Sequence, residues 1–434
     1  MPTVEGGVYT SGALSGEDRT FLMASGQTFA RVSRVVSRFY GRVFSSNPYP
    51  LYKFLRRRYP LLRTPIGFWI STRYDNCVSI LRDKRFAAFD LNALDAFPPD
   101  DGLKSMREAL QHAIVFRNPP DHTRLRKLMN TFFSPAVVAG LEPTIQRIFD
   151  DLLDKVQERG SNASGSLDLI SDLAFPFPID VLAEVMGATD ADKPIFRDWM
   201  RTLGVPLDPV ISANDPGVEV RAAIDAVRRY FSDLAADRRI HPREDLISIM
   251  VAAEERGDLA TEEELVFSAM FTLLAGHETT MNMIGNGMLA LLRNPDALAR
   301  LKRDPSLIDS ALDEFLRYDS PVQVTFRTAL EDIEVAGRSV PRGEHVVVFL
   351  GAANRDPDRF ADPDKLDITR TDNHHLSFAA GPHRCIGEVL ARVEGRVAFE
   401  TILRRMPKLA LADPNPKWRP AMSLRGLQSL PLSY

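Results

Sequence analysis

Cysteine is nearly absent from this sequence: 434 residues contain only Cys77 and Cys385, in distant parts of the chain. Two such thiols make no disulfide framework and fit a reducing compartment. Long apolar runs are missing too. None reaches the roughly 18 residues that a spanning helix needs, so no membrane anchor is expected. The opening stretch MPTVEGGVYTSGALSGEDRTFLMASG has neither a basic n-region nor an apolar h-region, and no signal peptide is expected. Charge of one sign is also not in excess. Lys and Arg number 54 against 58 Asp and Glu, a net charge of −4, which argues against nucleic acid or a membrane surface as partner. Internal repeats and low-complexity blocks are lacking as well. What is present is a hydrophobic fraction of 44% and a charged fraction of 26%, as in an ordinary globular chain. A cytoplasmic protein is the expectation.

Residues 1–25 are rich in Gly and Ser and are expected to be flexible. No composition break follows, so 26–434 is read as a single domain. GFWISTRYDNCVSILRDKRF predicts a strand and then a helix over Tyr74–Arg82, with Cys77 as a core thiol beside Val78 and Ile80. From Leu91 to Pro120, AFPPDD and RNPPDH predict long loops around a short helix. Helical periodicity dominates from His122 to about Asn294, and short strands (IEVAGRSV, EHVVVFL) follow Asp332. The fold class is therefore mainly α with small β-sheets (α+β), the strand-rich parts lying near each end. One helix is exceptional. Thr261 with Glu264 forms a capping box, and the apolar pattern runs past Leu292 to Asn294-Pro295, roughly thirty residues or about 45 Å.

Four patterns carry chemistry. AGHETT (Ala275–Thr280) puts poor helix formers and an acid in the middle of that long helix. It is either a kinked core helix with locally satisfied polar groups or a working site. EFLR sets Glu314 and Arg317 at i,i+3, a pairing that many surface helices share. DHTRLRK places His122 and Arg126 on one helix face, which either binds an anion or is solvated. FAAGPHRCIG surrounds Cys385 with His383, Arg384 and glycines. No CxxC or HxxxC partner suits zinc, and no histidine is marked as the base of a thiol nucleophile. A lone axial thiolate to haem needs no second protein ligand on its side, but it needs a deprotonated sulfur. Nearby cations and backbone N–H groups favour that form.

Taken together and in this order, the motifs resemble those of the cytochrome P450 superfamily in its soluble bacterial, ferredoxin-dependent form. In FAAGPHRCIG, Phe378, Gly381, His383, Cys385 and Gly387 fall on the positions of the family's haem-binding loop. Ala379 stands where glycine is more usual, and its methyl group is expected to be tolerated. AGHETT is similar to the oxygen-activating stretch, EFLR to the family's Glu–Arg pair, with NRDPDRF (Asn354–Phe360) nearby, and HTRLR to the propionate-binding helix. Arg327 in TFRTA occupies a further propionate position. The similarity runs from about Gly67 to the end.

The resemblance implies haem b (iron protoporphyrin IX) buried between the long central helix and the Cys-containing loop. Cys385 becomes the axial ligand of the iron, with Phe378 packed close to it and Gly387 closing the turn. His122, Arg126, Arg327 and His383 neutralise the propionates. Glu314 and Arg317 form a buried structural pair, and Glu278 and Thr279 are the catalytic proton relay. The implied pocket is lined by Phe271, Leu274 and Ala275, by Gln323, Val324 and Thr325, by the Met422–Leu424 stretch including Leu424, and by part of Leu91 to Phe116. The implied activity is insertion of one oxygen atom from O2 into a hydrophobic small molecule, by C–H hydroxylation or epoxidation, in secondary metabolism. Electrons would come from NAD(P)H through ferredoxin reductase and a ferredoxin or flavodoxin, docking on Arg124, Lys127, Arg384 and Arg392. The protein would act as a cytoplasmic monomer. The competing expectations are a peroxide-driven peroxygenase and a non-catalytic haem-thiolate sensor or carrier.

Overall fold

The computed structural model describes residues 47–65, 67–89, 91, 101–160, 165–204 and 217–434. The N-terminal segment 1–25, much of the 91–120 loop region and the VPLDPVISANDPG loop lie wholly or partly outside them. The described chain is mainly helical. In chain order the helices are α1 (Tyr49–Arg58), α2 (Tyr74–Arg82), α3 (Asp101–Leu110), α4 (Asp121–Phe132), α5 (Pro135–Gly160), α6 (Pro176–Val185), α7 (Lys193–Leu203), α8 (Gly217–Ile240), α9 (Leu246–Glu255), α10 (Glu262–Leu292), α11 (Pro295–Arg303), α12 (Ile308–Tyr318), α13 (Leu350–Ala353) and α14 (Glu388–Arg405).

The strands make three small sheets. β1 (Leu61–Arg63), β2 (Phe68–Ser71), β3 (Phe86–Ala87), β5 (Val324–Ala329) and β8 (His345–Phe349) join in the order β1-β2-β8-β5-β3. β4 (Ser166–Asp168), β9 (Ala410–Leu411) and β10 (Pro431–Ser433) form a second sheet, and β6 (Ile333–Val335) with β7 (Arg338–Val340) a hairpin. The two strand-rich parts expected near the chain ends share a sheet through one strand of each: β2 pairs parallel with β8, Phe68 opposite His345 and Ser71 opposite Val348, while IEVAGRSV forms the separate β6–β7 hairpin. A parallel pair needs a long crossover, and here the helical core is that crossover.

The central helix α10 runs for 31 residues, Glu262–Leu292. The Thr261 hydroxyl accepts from the Glu264 N–H at 3.1 Å. The Glu264 side chain does not close the capping box on Thr261. It reaches one residue further back, to the Ala260 N–H at 2.8 Å, and takes a two-pronged bond from Arg124 at 2.7 and 2.8 Å. Burial alone would raise the Glu264 carboxyl, but these partners hold it below its ordinary range. Arg124 thereby ties α4 to the start of α10. From there α10 crosses the main apolar core, burying Leu273, Met281, Ile284, Met288 and Leu291. Cys77 on α2 is fully buried, and burial pushes its thiol up to about 12, which suits an inert core residue. Among the described residues no helix is long and apolar enough to cross a membrane.

Candidate active site

Cys385 lies in a tight loop between Phe378 and α14. The Cys385 N–H donates to the Phe378 carbonyl at 2.9 Å and the Arg384 N–H to the Gly381 carbonyl at 3.1 Å, closing a short 3₁₀ turn over Gly381–His383. Gly381 has φ +72, and a Cβ there would sit 2.2 Å from the Leu81 carbonyl oxygen at the end of α2. The loop therefore rests directly on α2 through a backbone contact that only glycine permits. Ala379, two residues earlier, is also left-handed, with φ 56. The Phe378 ring lies under the Arg392 guanidinium (5.2 Å to the centroid) and near the His375 ring (5.7 Å), which in turn bonds Asp313 at 3.1 Å.

Cys385 is accessible yet deeply set. Burial pushes its thiol up to about 11; the Gly387 N–H, Arg126 and Arg384 offset this only in part, and Glu388 adds to it. The turn's N–H and the two arginines favour the thiolate, as expected, without outweighing burial. A metal that binds sulfur, as iron does, favours the thiolate further. Among the described residues no group of three or more His, Cys, Asp or Glu could hold a metal by itself, so the donor set fits an iron that a macrocycle already holds.

Beside the loop stand His122, Arg126, Arg327 and His383. The two imidazoles lie 4.1 Å apart between centroids. Arg327 is buried and, among the described residues, bonds only the Phe326 carbonyl (2.7 Å) and the Thr325 hydroxyl (3.5 Å); desolvation lowers it to about 10. Burial lowers His383 to about 3, with Arg327, His122 and Arg126 adding to the fall, and it lowers His122 in the same way. Arg126 donates to the Arg384 carbonyl. Among the described residues none of the four makes an ion pair. A cluster of buried and half-buried bases that no carboxylate balances is unfavourable unless an anion completes it, so it fits the two propionates of haem.

On α10, Ala275, Thr279 and Phe271 lie along one face, Ala275 being exposed. The Thr279 hydroxyl donates to the Ala275 carbonyl at 2.7 Å. Glu278 is half-buried and pairs with Arg419 at 2.8 Å. His277 is buried against the Phe175 ring (4.8 Å), and burial lowers it to about 3; among the described residues its Nε2 has no partner. The Thr280 hydroxyl donates to Glu394 of α14 at 3.4 Å. Burial raises the Glu394 carboxyl well above its ordinary range, and its second oxygen is unpartnered.

Two expected pocket residues point elsewhere. Gln323 is fully buried, its Oε1 accepting from the Tyr52 hydroxyl at 2.8 Å and its Nε2 donating to the Ser320 carbonyl at 2.6 Å, so it has no amide to offer a ligand. Val324 packs into a separate cluster with Tyr49, Tyr52, Val347 and Phe349. Strand alternation puts Thr325 and Arg327 on the opposite face of β5 from Val324. Leu274 is buried, Phe271 meets Phe116 at 6.3 Å, and Leu424 is half-buried with a backbone bridge to Val322.

Glu314 and Arg317 are fully buried and joined by bonds of 2.7 and 2.8 Å. Arg317 also donates to the carbonyls of Asn354, Pro363 and Lys365, binding α12 to the segment that leads into the Cys385 loop. Of the cations assigned to a docking face, Arg124 is consumed by Glu264, Arg384 by Glu388, and Arg392 by Glu388 and Asp313. Lys127 is exposed and makes no ion pair among the described residues. Sequence reasoning missed Arg419 and Glu394. No local pattern marks Arg419, whereas Glu394, an acid among apolar positions of a helix, is a readable oddity.

The comparisons with known proteins agree with this geometry. The cytochrome P450 family model matches residues 217–417. The biotin biosynthesis cytochrome P450 of Bacillus subtilis (strain 168) is 37% identical over 396 residues, 90% of this chain and 97% of that protein. The cytochrome P450 monooxygenase PikC of Streptomyces venezuelae is 39% identical over 403 residues, 91% of this chain and 92% of its own. Among solved structures, P450BioI in complex with a hexadec-9Z-enoic acid ligated acyl carrier protein superposes with a TM-score of 0.81 at 36% identity, covering 89% of this chain and 98% of that one.

Proposed function

Since the chain belongs to the cytochrome P450 family, and is thus a haem-binding oxidoreductase that incorporates oxygen, we propose that it is a haem-thiolate monooxygenase acting on a hydrophobic small molecule by C–H hydroxylation or epoxidation. The observation that carries the reading is the cluster of His122, Arg126, Arg327 and His383 beside the single accessible thiol: His122 and Arg327 are buried, Arg126 and His383 half-buried, and none of the four is in an ion pair among the described residues.

Cys385 would hold the iron of haem b through its sulfur, and the bound haem would supply the oxygen chemistry. Cys385 gives up its proton to form that bond, and the Gly387 N–H directed at the sulfur moderates the charge it carries. The four bases hold the propionates and fix the orientation of the ring. On α10 Thr279 presents its hydroxyl next to Ala275, whose small side chain leaves room for substrate. Glu278 supplies the proton and Thr279 Oγ1 passes it on; that both groups are present favours an O2-dependent reaction over a peroxide-driven one. Phe271, Leu274, Thr325 and Leu424 form the walls. They suit an apolar molecule with few polar groups, in keeping with neighbours solved with myristic acid and with testosterone. Electrons arrive from NAD(P)H through a ferredoxin or flavodoxin, with Lys127 as the free cation of the docking face.

Cys385→Ser tests the assignment. The thiolate-type band of the ferrous–CO complex should disappear, while Cys77→Ser should keep it. Retention of that band in Cys385→Ser would remove Cys385 as the ligand.

A further inference from the structure

Glu278 does not stand free beside Thr279. The Arg419 guanidinium bonds it at 2.8 Å with one nitrogen and bonds Asn282 Oδ1, one turn further along α10, at 2.7 Å with another. One planar fork thus spans two positions of the same helix face. Arg419 is itself held: its N–H donates to the Gly426 carbonyl at 2.9 Å, and Trp418 pairs across with Leu427. Gly426 approaches so closely that a Cβ would fall 1.9 Å from Asn282 Oδ1. The C-terminal hairpin is therefore clamped to α10 at this point. Its tip carries Met422–Leu424, where Leu424 bridges Val322 and the Ser423 carbonyl takes the Gln323 N–H at 2.9 Å. Around the fork three buried polar atoms lack a partner among the described residues: Arg419 Nε, Asn282 Nδ2 and His277 Nε2. Both the acid and its cation are partly open to solvent, with side-chain exposures of 12% for Glu278 and 27% for Arg419.

We propose that Arg419 is a positioning residue for Glu278: it holds the carboxylate ionised beside Thr279 and couples its release to the hairpin that carries Met422–Leu424. This rests on the reading of Glu278 as the relay acid. A carboxylate bound to a guanidinium must leave it, or take up a proton, before it can serve as a proton donor. The pair thus sets the pH at which the relay is loaded, and movement of the hairpin tip shifts that pH by moving the cation. The charged and titratable groups near Glu278 among the described residues include Arg419 from the hairpin, His277 on α10 itself, held neutral by burial, and, beyond the Phe175 ring, Arg201 of α7, which is tied to Asp198.

The test is an infrared pH titration of the haem-loaded full chain. The protonated-carboxyl C=O stretch that vanishes in Glu278→Gln belongs to Glu278. In Arg419→Gln its midpoint should rise by about one to three pH units, and in Arg419→Lys it should stay near the native value. An unmoved midpoint in Arg419→Gln, or an Arg419→Lys midpoint as high as that of Arg419→Gln, overturns the proposal. Should Arg419→Gln fail to accumulate, the position of the Arg419→Lys midpoint alone decides. A second readout is the fraction of consumed O2 released as H2O2 with a surrogate ferredoxin, its reductase and NADPH. Arg419→Gln should change that fraction and its pH dependence, and should add nothing in a Glu278→Gln background. Additive changes overturn it. If Glu278→Gln alone leaves the fraction unchanged, the relay reading itself fails and the proposal falls with it, whatever the infrared midpoint does.

Discussion

Around the Cys385 loop four bases stand together with no carboxylate to balance them, whereas in the middle of α10 the charged group is matched within the chain. Glu278 has Arg419, Thr280 has Glu394, and His277 is kept neutral. The first arrangement is incomplete as a protein structure and becomes favourable only with a dianionic ligand. The second has its charge paired without one, and polar groups in it are held back by partners that must yield for chemistry to occur. The loop side is thus built to bind and the helix side to regulate. That difference separates residues whose loss removes the cofactor from residues whose loss changes what the cofactor does.

The largest effect should come from the loop. Gly381→Ala puts a methyl carbon 2.2 Å from the Leu81 carbonyl oxygen and 3.0 Å from the Arg82 Cα, both backbone atoms, at a φ of +72. Left-handed strain alone costs about 1–2 kcal/mol, and the clash can be relieved only by lifting the loop from α2. The haem-to-protein ratio after purification should fall several-fold, with secondary structure by circular dichroism retained. Full haem loading would show that the loop is not braced by α2, and would erase the proposed contrast in rigidity.

A smaller effect is expected on the helix side, as a change in pH dependence. Burial holds His277 at about 3 in the folded chain, against about 6.5 when unfolded. The unfolded chain therefore binds the proton first. Stability from this group is complete above about pH 6.5, is lost at up to about 1.4 kcal/mol per pH unit as pH falls toward 3, and changes no further below that. His277→Phe keeps an aromatic ring against Phe175 and removes this loss. Urea midpoints followed by tryptophan fluorescence should then decline less steeply with acidification than in the native chain. Parallel slopes would show that His277 is already protonated in the fold, and the helix side would hold a second unbalanced cation.

Much of this was legible because it is local. The Thr261 N-cap of α10, the extent of α2 and the spacing of His122 with Arg126 need only a few neighbouring residues, and each lies where periodicity and capping chemistry put it, although the Glu264 half of the capping box goes to Ala260 and Arg124 instead. The joining of β2 to β8 was not legible, since two short apolar strands far apart carry no sign that they pair. The same holds for Arg419, whose role is fixed by a helix 141 positions earlier (419 − 278). Arg124, Arg384 and Arg392 read as free cations because their carboxylate partners come from other turns or elements. Val324 was misplaced for a simpler reason: adjacent strand residues face opposite ways, so the residue beside Thr325 could not line the same wall.

The smallest expected effect isolates the one departure of the loop from the family pattern. Ala379 holds φ 56, where an alanine is strained by about 1–2 kcal/mol. Glycine would remove that strain but would gain about 0.4–1 kcal/mol of unfolded-state entropy to lose on folding. The Ala379 methyl also packs against the cluster of Leu81, Leu350 and Leu376, and its loss costs up to about 0.8 kcal/mol. These terms nearly cancel, which is the physical reason that the methyl group is tolerated there. Ala379→Gly should therefore move the thermal midpoint by no more than about a degree and leave haem loading unchanged, in contrast to Gly381→Ala two residues away. A rise of several degrees would mean that the loop stores strain the chain could have relieved, and rigidity around Cys385 would then be kept at a cost in stability. A fall of several degrees would instead make the methyl contact part of what seats the loop on α2, and the brace would extend from Gly381 across the whole turn.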